Sequence, residues 1–124
     1  MENNQTVKAS FDVTTMEGKM RVFNAQNGAS ISLKTLESGT IIEVVGLLQY
    51  EEHVNTYGSN QDAVITTLFS ADGTSYAGVS DTVAKAGEKL IDFMEQTGIE
   101  QVKVKIVKQQ SAKGNEFLNL QIVG

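Results

Sequence analysis

Cysteine, proline and tryptophan are all absent from the 124 residues, and there is a single histidine. Without cysteine there can be neither a disulfide framework nor a thiolate metal site. Without proline, turns must rely on glycine, asparagine, aspartate and serine. No apolar run approaches the ~20 residues that a membrane-spanning helix requires, and the polar start of the chain lacks a signal-peptide core. These absences and the length favour one globular domain in a reducing compartment, with no membrane contact.

Side chains that could carry catalysis are also scarce. His53 lies in the polar stretch YEEHVN, where a surface position is expected. Glu51 and Glu52 are adjacent, so in a strand they point to opposite faces and cannot converge on one substrate. Three aspartates stand beside turns or a helix start, where aspartate serves the backbone: Asp62, Asp72 and Asp81. The sequence therefore predicts neither an enzyme nor a metal site, and no cofactor.

The net charge of −5 argues against a nucleic-acid partner, because phosphate contacts need a basic surface. The basic residues are nevertheless clustered. Lys103 and Lys105 are two apart in a predicted strand and share a face, and Lys113 follows at the turn of the same hairpin. Lys19 and Arg21 form a similar pair near the N-terminus. Local potential matters more than net charge where a ligand lies in a groove. An ordinary solvated surface is the alternative interpretation of each pair.

The first 39 residues are predicted to be an addition to the main fold. Residues 7–13, VKASFDV, alternate in polarity as a strand does, and MRVFNAQ at 20–26 is expected to pair with them across a turn at 14–19. This gives an N-terminal β-hairpin. A loop follows over residues 27–39, with a short strand around Ile31.

From residue 40 onward the pattern is typical of a β-barrel. Residues 40–54 form a long β-rich run in which Gly46 marks a bend, and strands follow at 62–70 and 76–80 around the Asp-Gly turn of ADGTS. After a helix, two more strands lie near 99–109 and 115–123. That is the order of an OB-fold, a five-stranded partly open barrel with a helix between strands three and four. We therefore predict one mainly β domain over 1–124, with a generic barrel plugged by one helix as the alternative.

The predicted helix has clear start and stop signals. Ser80 or Asp81 can cap its N-terminus, and Thr97-Gly98 is typical of a helix end. Five residues between them form one apolar stripe that is expected to face the core: Val83, Gly87, Leu90, Ile91 and Met94.

The two faces of the last hairpin differ in chemistry. Its apolar face is expected to point inward and comprises Val102, Val104, Ile106, Leu118, Leu120 and Ile122. Its outer face carries Lys103 and Lys105 on one strand, with Phe117, Asn119 and Gln121 on the other. A lysine row of this kind indicates contact with a polyanion.

The three tyrosines fall on or beside the first three strands of the predicted barrel, and none lies inside an obviously buried run. That is the usual ligand-binding side of an OB-fold, and such folds bind single-stranded nucleic acid by stacking bases on aromatic rings. Tyr50, Tyr57 and Tyr76 are therefore candidate base contacts, with Phe117 as a weaker one and Phe69 assigned to the core. The predicted binding residues for single-stranded DNA are Tyr50, Tyr57, Tyr76, Phe117, Lys103, Lys105, Lys113 and Arg21.

A series of short motifs runs along nearly the whole chain: MEN, VKASFD, EGK, FNAQ, GTIIE, TYG, TTLFSADG, SDTVAKA, LID, KVKIV and KGNEFLNLQ. In order and spacing these motifs resemble the single-stranded-DNA-binding proteins of the small protein-primed Bacillus phages, the phi-29-like group. The resemblance implies a protein that coats the strand displaced during replication, without sequence preference, protects it from nucleases and helps to open duplex DNA. It implies base contacts at Tyr50, Tyr57 and Tyr76. No lysine is carried over as a contact.

The resemblance also implies the setting in which the protein acts. We expect the cytoplasm of a bacterial host, a monomer in solution, and a phage DNA polymerase at the replication fork as a further partner. Two other functions stay open at this point. One is an acidic protein-interaction module, such as a phage-encoded inhibitor that mimics DNA, and the other is a small-nucleotide-binding barrel with a closed pocket.

Overall fold

The computed structural model of the chain describes residues 7–28, 30–56, 59–114 and 116–123, with the backbone alone over 52–56 and 59–62. The strands are β1 (Val7–Ala9), β2 (Ile31–Ser32), β3 (Ile41–Thr56), β4 (Ser59–Ser70), β5 (Ser75–Gly78), β6 (Val102–Gln110) and β7 (Glu116–Val123). The helices are α1 (Met16–Gln26) and α2 (Asp81–Thr97), and a 3-10 turn occupies Leu33–Thr35. Within the described ranges, no helix has the length and apolar character that crossing a membrane would take.

Strand β3 organises the sheet, because it is paired along both edges. One edge pairs with β4 over almost its whole length, and the other pairs with β6 through residues 41–44 and with β1 through residues 48–50. The register shifts between Val44 and Gly46, and such an irregularity bends a strand. The strand order is β2-β5-β4-β3-β6-β7, antiparallel except where β2 meets β5.

The succession β3, β4, β5, α2, β6, β7 is that of an OB-like barrel, so the predicted mainly β fold with a helix between barrel strands three and four is confirmed. No pairing among the described residues joins β5 to β7, and the barrel is therefore partly open on that side. Helix α2 lies across the opening, in contact with β7, β4 and β3.

The main core fills the barrel beneath α2. The Ser80 hydroxyl accepts a hydrogen bond from the Val83 backbone N–H at 3.3 Å and begins the helix, and Gly98 ends it with a φ of 73°. All five residues of the predicted apolar stripe are buried. They pack on the inward residues of the barrel strands, of which the largest fully buried are Val44, Leu47, Leu68, Val104 and Ile106.

The predicted N-terminal β-hairpin is wrong, because residues 16–26 form helix α1. Strand β1 ends at Ala9, and the chain turns at Asp12, whose carboxylate accepts hydrogen bonds from Thr14. The Thr15 hydroxyl then accepts from the Gly18 backbone N–H at 3.0 Å, which caps the helix. A β-carbon at Gly18 would overlap the Asp12 carbonyl, so this turn requires glycine. MRVFNAQ alternates in polarity as a strand does, although it belongs to a helix of which only a narrow stripe is buried.

Helix α1 lies over a second apolar cluster on the outer face of the sheet. Its buried members are Ala25, Leu48, Tyr50, Ile65 and Phe69, and partly buried side chains from the N-terminal segment, including Phe11 and Val22, complete it. The sheet is thus covered on both faces near β3 and β4, by α2 inside and by α1 outside. The outer face is left uncovered mainly along the β6–β7 hairpin.

Candidate nucleic-acid interface

The outward side chains of the β6–β7 hairpin form one row, which we call the hairpin face: Lys103, Lys105, Phe117, Asn119 and Gln121. Along β6 the inward residues Val102, Val104 and Ile106 are buried, while Lys103 is exposed and Lys105 half-exposed. Across the hairpin Lys105 lies opposite Gln121, and Gln109 lies opposite Phe117. Residues opposite each other in an antiparallel pair project to the same side. The expected lysine row is therefore confirmed as a surface feature.

One inward position of the last strand departs from the expected pattern. Leu118 is buried and Leu120 packs against the core, but Ile122, which was expected inside, is 44% exposed. Strand β7 is the last strand of the sheet, and the barrel is open beside it. An inward residue near the end of an edge strand can therefore remain in contact with solvent.

Tyr76 lines a groove of about 420 Å³ together with residues 40–43 and 70–72. The ring is partly buried against the main core, so one side of the tyrosine is held by packing. The other side faces the groove. Strand β5 positions the residue, since Tyr76 lies opposite Leu68 of β4 and Ile31 of β2.

The groove of Tyr76 and the hairpin face share a border at the start of β3. Ile41 and Glu43 line the groove, and their partners on β6 are Lys105 and Lys103, respectively. Opposite pairs of this kind have β-carbons about 4.5–5.5 Å apart. The groove of Tyr76 and the lysine pair therefore adjoin the same stretch of β3, residues 41–43.

Two carboxylates also border this surface. A carboxylate oxygen of Glu43 accepts a hydrogen bond from the Gln101 amide at 2.8 Å. The backbone N–H of Thr74 donates to Asp72 at 2.9 Å, and this bond, with further ones from the Thr74 and Ser70 hydroxyls, lowers the pKa of Asp72. Both acids line the groove of Tyr76, and Glu43 also lies opposite Lys103, so the groove itself carries negative charge and the positive charges lie along β6.

Two predicted contacts lie elsewhere, in the cluster beneath α1. Tyr50 is only 5% exposed, and its hydroxyl donates a hydrogen bond to the Ala25 carbonyl oxygen at 3.2 Å. The Arg21 guanidinium lies over the rings of Phe11 and Phe69, 5.0 and 5.6 Å from their centres. A β-carbon at Gly46 would lie 3.0 Å from this guanidinium and 3.1 Å from the Phe11 ring, so a larger residue in the bend of β3 would displace these two side chains. Neither the Tyr50 nor the Arg21 side chain is therefore part of the hairpin face.

The remaining predicted residues lie farther along the hairpin or outside the described part. Phe117 belongs to the hairpin face and lies opposite Gln109. Gln109 is four residues from Lys105 along β6, or about 14 Å at ~3.4 Å per residue. Lys113 lies in the exposed turn between β6 and β7, beyond the end of the face. Tyr57 is not among the described residues, and its position in the interface stays a prediction.

Ile41 is the side chain of this surface that the sequence analysis did not single out. It is 52% exposed although it opens an apolar run, and it both lines the groove of Tyr76 and lies opposite Lys105. The signal was present, because Ile41 and Glu43 alternate with the buried Ile42 and Val44. No group of three or more histidine, cysteine, aspartate or glutamate side chains in the described part of the chain could hold a metal ion.

A family model described as phage single-stranded DNA-binding protein matches residues 1–123, which is nearly the entire chain. The chain belongs to this family. The resemblance inferred from the motifs is thereby confirmed. Members of the phage single-stranded DNA-binding protein family are binding proteins and not enzymes, in agreement with the lack of a catalytic arrangement in the sequence.

Individual relatives from Bacillus phages cover the same length. The single-stranded DNA-binding protein of Bacillus phage B103 is 47% identical over 118 residues, which is 95% of this chain and 97% of the relative. Those of Bacillus phages PZA and phi29 are each 46% identical over 122 residues, or 98% of both chains. No solved structure matches the chain.

Proposed function

We propose that this protein binds single-stranded DNA without regard to sequence, at the surface formed by Tyr76, Lys103 and Lys105. The observation that carries the proposal is the shared border at Ile41 and Glu43, which line the groove of Tyr76 and lie opposite Lys105 and Lys103 on an otherwise acidic chain. Family membership supports the same ligand, since the relatives are named for it.

In this mechanism stacking supplies much of the affinity and the lysines place the backbone. A base stacked on an aromatic ring contributes about 1–3 kcal/mol, and the contribution hardly depends on the base. Lysine–phosphate contacts add an electrostatic part that weakens with salt, with a slope of about −0.7 per phosphate for a single strand. An acidic protein can bind DNA in this way because only the local surface meets the phosphates.

The other predicted contacts have different roles in the proposed binding mode. Phe117 and Lys113 extend the path of the strand along the hairpin, while Tyr57 remains a candidate base contact beside the barrel. Tyr50 and Arg21 are held under α1, so we assign them to the support of the β3–β4 face. They would meet a base only if α1 moved away from the sheet.

The biological role that follows is protection of the strand displaced during protein-primed phage replication, in the host cytoplasm. A protein that binds only the open form of DNA shifts the duplex equilibrium toward that form by mass action. Helix destabilisation therefore needs no energy source. We propose a monomer in solution that acts at the fork alongside the phage DNA polymerase.

The function is tested by titrating the protein with oligothymidylate, and with a duplex of matched length, while tyrosine fluorescence is recorded. The absence of tryptophan leaves tyrosine as the intrinsic reporter. We expect saturable quenching by the single strand and little change with the duplex. A protein that ignores both, even at low salt, would contradict the proposal and favour an interaction module that mimics DNA.

The lysine pair gives a prediction that concerns salt. Replacing Lys103 and Lys105 with glutamine is expected to reduce the magnitude of the salt slope by about 1.4, because two contacts of about 0.7 each are lost. At low salt we expect affinity to fall about 5- to 30-fold, from about 0.5–1 kcal/mol per exposed charge pair. Fluorescence titrations at several salt concentrations measure both quantities.

The control for this variant removes the same charge elsewhere, by replacing Lys19 and Lys34 with glutamine. Both control lysines are exposed and lie outside the hairpin face, in α1 and the 3-10 turn. Equal losses in the two double variants would mean that net charge alone governs binding, and the assignment of the hairpin face would then fail.

A further inference from the structure

A larger groove, of about 630 Å³, lies between α2 and β7 where the barrel is open. Three side chains of α2 line it at intervals of four residues, Lys85, Lys89 and Phe93, and so lie on one side of the helix. Phe93 is 36% exposed. A volume of this size suits a nucleotide-sized ligand.

The charges of α2 are divided between two sides of the helix. Glu88 and Asp92 face β1, where the Lys8 ammonium lies 3.9 and 3.0 Å from their carboxylates. The hydrogen bond to Asp92 is the main cause of the raised pKa of Lys8. Throughout the described ranges, neither Lys85 nor Lys89 forms an ion pair. The groove therefore has two uncompensated cations in an acidic protein.

The opposite wall belongs to β7 and combines apolar and amide groups. Leu120 and the half-exposed Ile122 form the apolar part, and Asn119 and Gln121 supply amides that can donate or accept hydrogen bonds. Asn119 and Gln121 are also members of the hairpin face, where the Asn119 amide donates to Gln109 at 3.5 Å and accepts from the Leu120 backbone N–H, so Gln121 is the amide left for a ligand at this edge. The groove and the hairpin face are thus continuous across the edge of β7.

We propose that the groove between α2 and β7 is a second contact site for single-stranded DNA, which receives a nucleotide of the strand after it has crossed the hairpin face. Lys85 and Lys89 hold its phosphate, and Phe93 with Ile122 provides an apolar surface for its base. This inference rests on the proposed function. The pairing of two cations with an exposed aromatic ring favours a nucleotide over an acidic peptide, which would use the cations but not the ring.

The test uses the full chain with Lys85 and Lys89 both replaced by glutamine, and separately with Phe93→Leu. Affinity for labelled oligothymidylates of about 4 to 16 nucleotides, the usual range for one such fold, is measured by fluorescence anisotropy. Because the second site is reached only by a strand that has already crossed the first, we expect the loss to grow with length. For long oligomers the lysine variant is expected to bind about 5- to 30-fold more weakly, while short oligomers bind as to the original protein.

The outcomes separate this inference from the proposed function. The Lys19, Lys34 double variant again controls for charge, and Phe93→Leu keeps the apolar packing while removing the ring. If the α2 variants bind oligomers of every length as tightly as the original protein, while the Lys103, Lys105 variant binds weakly, the second site is overturned and the first stands. The second site is likewise overturned if replacing Lys85 and Lys89 weakens the binding of a polyglutamate peptide but leaves the affinity for DNA unchanged. If the original protein binds no single strand at all, the proposed function itself fails.

Discussion

Replacing Tyr76 with leucine is expected to weaken the binding of single-stranded DNA by about 5- to 150-fold, the equivalent of about 1–3 kcal/mol for one base–aromatic stack. Leucine is the informative replacement because the tyrosine ring also packs against the main core. An aliphatic side chain retains much of that packing but offers no flat face to a base. Titration with oligothymidylate at one fixed salt concentration measures the change.

Tyr76→Phe is the matched control for this prediction. Phenylalanine retains the ring and its π-face, so affinity should remain close to that of the original protein. Urea denaturation of both variants identifies any loss of fold. Equal affinities for the leucine and phenylalanine variants, with the fold intact, would mean that no base stacks on this residue.

Replacing Tyr50 with alanine is expected to lower the free energy of unfolding by about 3–5 kcal/mol, as for other large aromatic side chains removed from a core. The residue is buried among Leu48, Ile65 and Phe69, and its loss would leave a cavity beneath α1. Small domains have a total stability of about 5–15 kcal/mol, so this is a large part of it. Urea denaturation followed by circular dichroism gives the value.

Tyr50→Phe separates the hydroxyl from the ring. It removes the hydrogen bond to the Ala25 carbonyl oxygen and should cost about 0.5–1.5 kcal/mol of stability. DNA affinity of the folded phenylalanine and alanine variants is expected to be unchanged. If the folded alanine variant lost affinity by a factor comparable to that of Tyr76→Leu, Tyr50 would be a base contact, and α1 would have to leave the sheet during binding.

The barrel could be predicted from the sequence because its signals are local. Alternation with period two marks β6 and β7, the Asp-Gly pair marks the turn between β4 and β5, and the Ser80 cap and Gly98 bound α2. Each signal lies within a few residues of the element that it defines. The surface role of Lys103 and Lys105 follows from the same alternation.

The N-terminal helix could not be predicted in the same way, because what holds it is not local. Its capping residue Thr15 is in an ordinary turn sequence. The buried side of the helix packs in a cluster with Tyr50 and Phe69, which are distant in the chain. The burial of Tyr50 was not predicted for the same reason, because α1 is the helix that covers this residue. A tyrosine at the end of an apolar strand has no neighbour in the sequence that tells whether a helix covers it.

The candidate site was predicted as a set of residue types but not as one surface. Tyr76 and Lys105 come to border the same stretch of β3 only through the order of strands β5, β4, β3 and β6 in the sheet, which local sequence signals do not show. The α2 groove was missed for a different reason. Lys85, Lys89 and Phe93 have helical spacing, but no signal in the sequence shows that β7 lies opposite them and forms a groove.

The central claim, that a base stacks on Tyr76, is tested most directly by making Tyr76 the sole tyrosine. The double variant Tyr50→Phe, Tyr57→Phe has no other tyrosine and no tryptophan, so its tyrosine fluorescence comes from this ring alone. We predict saturable quenching on titration with oligothymidylate, at the same DNA concentrations that saturate binding measured by anisotropy. Binding by anisotropy with no change in Tyr76 fluorescence would contradict the account.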